Sequence, residues 1–346
     1  MAEVPYDALL LLSFGGPESP DEVLPFLENV LRGRNVPRER MLEVAEHYSH
    51  CGGRSPINDQ NRALIAALQQ ELAARGPQLP IYWGNRNWHP LLPDTMRRMQ
   101  ADGVQHALVF VTSAYSSYSG CRQYREDVAR AREVVGPAAP VCDKLRVFFN
   151  HPGFIEAMSD WVRVALQELA PAVRSKARLV FTAHSIPESM AASCDYVVQV
   201  RESSRLVAAR LERPEFDVVY QSRSGPPTQP WLGPDVNDHL RDLARRGEKA
   251  VVLVPIGFVS DHMEVVFDLD TEARESAAAC GLPLVRAATV GTHPAFVGMI
   301  RDLIGERIAV AQGTRPERPA LGVLGARADT CAVDCCPAPM TRGGRP

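Results

Sequence analysis

Ala107-Leu108-Val109-Phe110-Val111 is an unbroken apolar run. A strand with one face in water alternates apolar and polar side chains, whereas a strand covered by helices on both faces is apolar throughout. The run therefore predicts an interior strand of a parallel sheet, over 107–112. Working outward, strands are predicted at 8–13 and 80–84, with helical stretches at 21–31, 58–75 and 94–101. Strands alternating with longer helical segments are the mark of a parallel sheet flanked by helices. The pattern then restarts. A helix at 154–169 leads into a strand that begins at Ala177 and ends before His184. A helix at 197–211, a strand at 216–221, a helix at 234–246 and a strand over 251–258 follow. A strand at 283–287 and a helix at 294–310 close the series. The fold class this predicts is α/β, with two doubly wound, Rossmann-like lobes on parallel sheets: a first lobe 1–150, a second lobe 151–311 and an irregular tail 312–346 rich in Gly, Pro and Arg. A length of 346 residues exceeds what one compact core usually holds, which also favours two lobes.

Composition narrows the functional classes. A formal charge of −3 gives no general drive toward nucleic acid or anionic membranes. The opening Met1-Ala2-Glu3-Val4-Pro5-Tyr6-Asp7 lacks the basic-then-apolar layout of a secretory signal. The apolar stretch 8–12 is too short to span a bilayer. A cytoplasmic monomer without a transmembrane segment or nucleic-acid partner is the expectation. Gly15-Gly16-Pro17 follows the first strand but matches neither G-x-G-x-x-G nor a P-loop. Close approach of a flat ligand to the glycine backbone is the preferred reading.

Chemistry concentrates at two strand ends. Phe181-Thr182-Ala183-His184-Ser185-Ile186-Pro187 delivers a histidine where a buried strand stops, and ligands in open α/β folds bind at carboxyl ends of strands. An imidazole there can act as base or metal ligand. The strand over 251–258 runs into Val259-Ser260-Asp261-His262-Met263-Glu264-Val265-Val266-Phe267-Asp268. Ser260 or Asp261 is the expected cap of a helix with Glu264 in its first turn. Glu264, Asp268 and Glu272 would then stack along one face with no basic residue between them. That is either an acidic surface ridge or a path for a divalent cation.

These segments, with Leu9 to Glu18, Tyr48 through Gly52-Gly53-Arg54-Ser55-Pro56-Ile57, and Gln221-Ser222-Arg223-Ser224-Gly225-Pro226 followed by Trp231-Leu232, resemble the ferrochelatase family in an ordered series. The resemblance implies a lyase of haem biosynthesis that inserts its substrate Fe²⁺ into a porphyrin held in a cleft between the lobes. It implies His184 and Glu264 as catalytic and metal-binding residues, with Asp268 and Glu272 extending outward. Ser55 and Tyr124 match substrate-binding positions, or are a turn residue and a packed helix aromatic. Tyr115 and Tyr118 add aromatic surface or lid packing, and Arg32, Arg34 and Arg54 could pair with propionates.

Ser13-Phe14-Gly15-Gly16 and the cysteine-bearing tail look most like the actinobacterial branch, which implies coproporphyrin III. Protoporphyrin IX, another divalent metal and a non-catalytic tetrapyrrole carrier are the alternatives. Some coproporphyrin-using members carry tyrosine where this chain has Phe14, which removes any axial oxygen. Of 8 cysteines, Cys331, Cys335 and Cys336 cluster in the tail, and the resemblance nominates Cys121 as a fourth ligand of a 2Fe–2S cluster. Structural zinc or no metal are the other readings. The tail has little apolar area, so a metal is the expected source of its order. Cys51, Cys142, Cys194 and Cys280 read as ordinary small residues.

Overall fold

The computed structural model describes residues 4–33, 36–226 and 228–338. Within them lie two four-stranded sheets in which every pairing is parallel. The first sheet comprises β1 (Ala8–Ser13), β2 (Ile81–Asn85), β3 (His106–Val111) and β4 (Val141–Lys144), in the order β2-β1-β3-β4. The second comprises β5 (Arg178–His184), β6 (Phe216–Gln221), β7 (Val251–Val254) and β8 (Leu284–Arg286), in the order β6-β5-β7-β8. The two orders are identical once each half is counted from its own first strand. This is the expected α/β, doubly wound architecture.

Burial follows from the layering. β1 and β7 are buried at every position. Leu9 and Leu11 of β1 enter one apolar cluster, while Leu10 and Leu12 enter another on the opposite face. The expected strand over 251–258 stops at Val254, because Pro255 cannot donate to a ladder. Gly257 N–H then turns back to the Thr182 carbonyl at 3.0 Å.

The clusters of the two halves merge on one side. Phe110 and Phe148 from the first half pack with Phe154 and Phe296 from the second in a single buried group. Tyr115 Oη donates to the Ile256 carbonyl at 2.9 Å. Helix Pro294–Ala311 packs on helices Ile57–Arg75 and Pro152–Glu168, with Arg301 Nη1 2.5 Å from Glu71.

Among the elements that lie outside the sequence-based expectations are helices Arg38–His50 and Gln123–Val135, and β4. Helix Arg38–His50 buries only Met41 and Tyr48, so it has little apolar stripe to read. It is held by tertiary packing on Phe26, Trp88, Met263 and Phe267. β4 is an edge strand, Val-Cys-Asp-Lys, without an apolar run.

Residues 312–338 contain no helix or strand, as their composition implies, yet protein contacts hold them. Arg146 Nη2 donates to the Pro319 carbonyl at 3.0 Å, and Leu321 exchanges hydrogen bonds with Asn150 at 2.8 and 3.1 Å. Arg327 pairs with Asp195. Arg146 is itself fixed by a bidentate pair with Glu306 at 2.7 and 2.9 Å, both side chains being buried. Polar anchors therefore hold part of this segment.

Candidate active site

β5 ends at His184, and Gln221 of β6 lies beside it in register, on the same face of the sheet. His184 Nδ1 bonds the Ser185 carbonyl, and Nε2 faces Glu264 Oε1 at 3.2 Å. An Nδ1 that meets a carbonyl must carry its proton. An Nε2 that meets a carboxylate is best paired when it carries one too, so the arrangement favours imidazolium–carboxylate. Burial opposes the His184 charge, but the charge and hydrogen bond of Glu264 outweigh it and raise the pKa. Reciprocally, burial alone would raise Glu264, yet the charge and hydrogen bond of His184 lower it. Both side chains keep a wet face, 30% exposed for His184 and 48% for Glu264, so solvent screens the pair.

Glu264 sits in a single helical turn, Met263–Val265. Its cap is His262, whose Nδ1 accepts from Glu264 N–H at 3.2 Å, not the expected Ser260 or Asp261. Asp261 is already occupied: its carboxylate takes Arg286 at 3.2 and 3.3 Å and Thr289 at 3.2 Å. The turn then widens into a π-helix, Val266–Ala273, rather than continuing as an α-helix. Asp268 lies within it and accepts a hydrogen bond from Ser222 Oγ. Burial raises its carboxyl to about 7 against the Ser222 bond, with Glu264 and Glu272 adding to the rise. Glu272 follows, raised by burial and by Asp235 and Glu275. Among the described residues, no three His, Cys, Asp or Glu side chains converge on one ion position.

A helical cap from the first half covers this segment. Phe26, Met41 and Tyr48 pack on Met263, and His47 stacks on Phe267 with ring centres 3.8 Å apart. Phe14 stays 38% exposed, edge-on to Phe26 at 6.3 Å. Gln60 Oε1 accepts from Asp261 N–H at 2.8 Å, so the first turn of helix Ile57–Arg75 meets the loop after β7.

The expected substrate residues sit differently from one another. Ser55 is buried against Gly16, where a Cβ would meet Ser55 Cβ at 2.7 Å. Gly15 has φ +80° and Asn85 2.8 Å from where its Cβ would stand. Both glycines are thus required by the protein's own packing. Tyr124 is buried beneath the Arg86 guanidinium, 3.6 Å from its ring centre, with Val109 and Val111 in the same cluster. Tyr115 is core, and Tyr118 Oη donates to Glu126 at 3.1 Å. Arg54 pairs with Asp59, Arg32 is exposed, and Arg34 lies outside the described residues.

The four nominated thiols come together. Cys121 and Cys331 hydrogen-bond, Cys331 also meets Cys335, and Cys335 Sγ lies 3.4 Å from Cys336 Sγ. The bond with Cys331, then burial, pushes the Cys121 thiol up, while that same bond brings Cys331 down to about 7. Cys194, read as an ordinary small residue, borders a cavity with Cys335, Cys336 and Arg327. In the sequence Gln221, Ser222 and His262 stand out only as parts of longer motifs. The available signal was their place at the carboxyl edge of the second sheet.

The fold is similar to that of "SirB from Bacillus subtilis with Fe3+", with a TM-score of 0.54 at 12% identity, covering 89% of this chain and 98% of that one. The ferrochelatase family model matches residues 6–308, and the chain belongs to that family. It is 57% identical to a ferrochelatase of Rhodopirellula baltica, over 100% of this chain and 99% of the relative. It is 54% identical to a coproporphyrin III ferrochelatase of Streptomyces coelicolor, over 98% and 95%. Among the described residues, no helix is long and apolar enough to cross a membrane.

Proposed function

We propose that the protein inserts Fe²⁺ into coproporphyrin III to form coproheme in haem biosynthesis. The actinobacterial relatives of known name support the substrate, and the His184–Glu264 pair with Asp268 behind it carries the chemistry. The reaction exchanges two pyrrole N–H protons for one metal ion. His184, once neutral, accepts a proton at Nε2 or gives that nitrogen to the iron. Glu264 supplies the harder carboxylate contact. Asp268, held near neutrality, takes up and releases protons close to working pH, and Glu272 extends the carboxylates outward. Ser55 and Tyr124 contribute to the porphyrin side of the cleft; Tyr124 does so through the Arg86 it supports. The deciding measurement is kcat/KM with coproporphyrin III and with protoporphyrin IX. A preference for the first of about tenfold is expected, and equal or reversed values overturn the assignment.

The thiols of Cys121, Cys331, Cys335 and Cys336 fit a 2Fe–2S cluster. Support comes from the proximity of the four thiols: Cys335 Sγ lies 3.4 Å from Cys336 Sγ, Cys121 interacts with Cys331, and Cys336 interacts with both Cys335 and Cys121. The cluster would supply a structural tie, and metallation requires no electron from it. Iron and acid-labile sulfide in anaerobically purified protein are expected, with zinc alone as the refuting result. The working form is a monomer in the cytoplasm, and sedimentation equilibrium tests the first of these.

A further inference from the structure

The dipeptide Gln221-Ser222 terminates β6 and touches both carboxylate-bearing positions at once. Gln221 is 1% exposed. Its Nε2 donates to the main-chain carbonyl of Glu264, while its Oε1 has no protein partner. A buried amide oxygen left open by the protein calls for a donor from water or ligand. Ser222 follows with φ +60°, a left-handed conformation that a serine adopts only under constraint. Its hydroxyl donates to Asp268.

A turn needing only this backbone shape would be better served by glycine. Serine at a strained position, with its hydroxyl on a buried carboxylate, indicates that the hydroxyl is the reason for the strain. The two contacts are complementary. One fixes the backbone from which the Glu264 side chain projects, and the other fixes the Asp268 side chain a π-helical step away. Gln221 is in register with His184 and Ser222 follows it directly, so the three groups share one frame.

We propose that Gln221 and Ser222 are positioning residues that hold Glu264 and Asp268 at the spacing a hydrated divalent cation needs, with Gln221 Oε1 accepting a hydrogen bond from a water of that cation. The inference rests on the reading of His184, Glu264 and Asp268 as the iron-handling groups. Loss of a hydrogen bond to a charged group corresponds to about tenfold in affinity.

The test compares Ser222→Gly, Ser222→Ala, Gln221→Met and His184→Ala in steady-state metallation with Fe²⁺. Ser222→Gly relieves the backbone and loses only the hydroxyl, so it should melt no earlier than wild type. Its KM for Fe²⁺ should nonetheless rise about tenfold, with the porphyrin KM unchanged. Gln221→Met should behave alike, and Ser222→Ala should add a fall in melting temperature. An unchanged Fe²⁺ KM in Ser222→Gly and Gln221→Met, alongside an inactive His184→Ala, overturns the clamp and leaves the site reading intact. An active His184→Ala overturns the site reading itself.

Discussion

The two sheets share one strand order but end in different chemistry. At the carboxyl edge of the first stand Ser13, Asn85 and Thr112, joined by neutral hydrogen bonds: Thr112 Oγ1 to Ser13 Oγ at 3.1 Å, and Asn85 Nδ2 to Asn58 Oδ1 at 3.3 Å. At the same edge of the second stand His184, Gln221 and Arg286, facing Glu264, Asp261 and Asp270. The backbone supplies the same shelf twice. One shelf is closed by amides and hydroxyls that satisfy each other, and the other carries groups whose charges depend on each other. Strand order therefore says where chemistry can occur, and the terminal residue says whether it does.

The sharpest way to break this contrast is to remove the terminal residue of each central strand. His184→Ala should lower kcat by about 10²–10⁴, the usual cost of losing a positioned base, while circular dichroism stays native. A loss under tenfold would remove the distinction between the sheets. Next in size, Arg286→Met strands two carboxylates that it now bridges at 2.7–3.3 Å and should cost about 3 kcal/mol in urea unfolding. A cost below about 1 kcal/mol would show that the second edge is not electrostatically interlocked.

The pH profile gives a third comparison. Burial would depress His184, but Glu264 overrides it and raises the pKa, so the neutral imidazole that accepts a proton appears only at higher pH. kcat/KM should keep climbing above pH 6.5, by about fivefold to tenfold per unit below the raised value, rather than level off near an unperturbed histidine. A plateau from pH 6.5 upward contradicts the coupling. Smallest of all, Ser13→Ala should cost about 1 kcal/mol of stability through the lost Thr112 contact and leave turnover within a few-fold.

Much of this contrast is legible in the sequence because buried parallel strands leave continuous apolar runs. Ala107 to Val111 and the stretch before His184 announce themselves, and so does the residue that follows them. What escapes is set by partners distant in the chain. Helix Arg38–His50 is polar enough to pass for a loop, and its order comes from Phe26, Met263 and Phe267. The cap of the Glu264 turn falls to His262 because Arg286 and Thr289 claim Asp261. A π-helix differs by its i→i+5 backbone bonding, which one or two turns of side chains do not reveal, so the α-helical ladder predicted for Glu264, Asp268 and Glu272 has the right residues in a wider coil. Ser222 is invisible as a strained residue until its φ is known.

The fused apolar cluster that joins the halves through Phe110, Phe148, Phe154 and Phe296 bears on how a bulky product leaves. Proteins that close on ligands by swinging two domains need a hinge with few contacts across it. Here the halves share their interior, so a swing would expose core. Release must instead come from loosening something local, and the cap seated on Met263 and Phe267 is fastened by only a handful of side chains. Substitution at His47 removes the stacked contact with Phe267 and so loosens this cap without touching the metal-handling side chains.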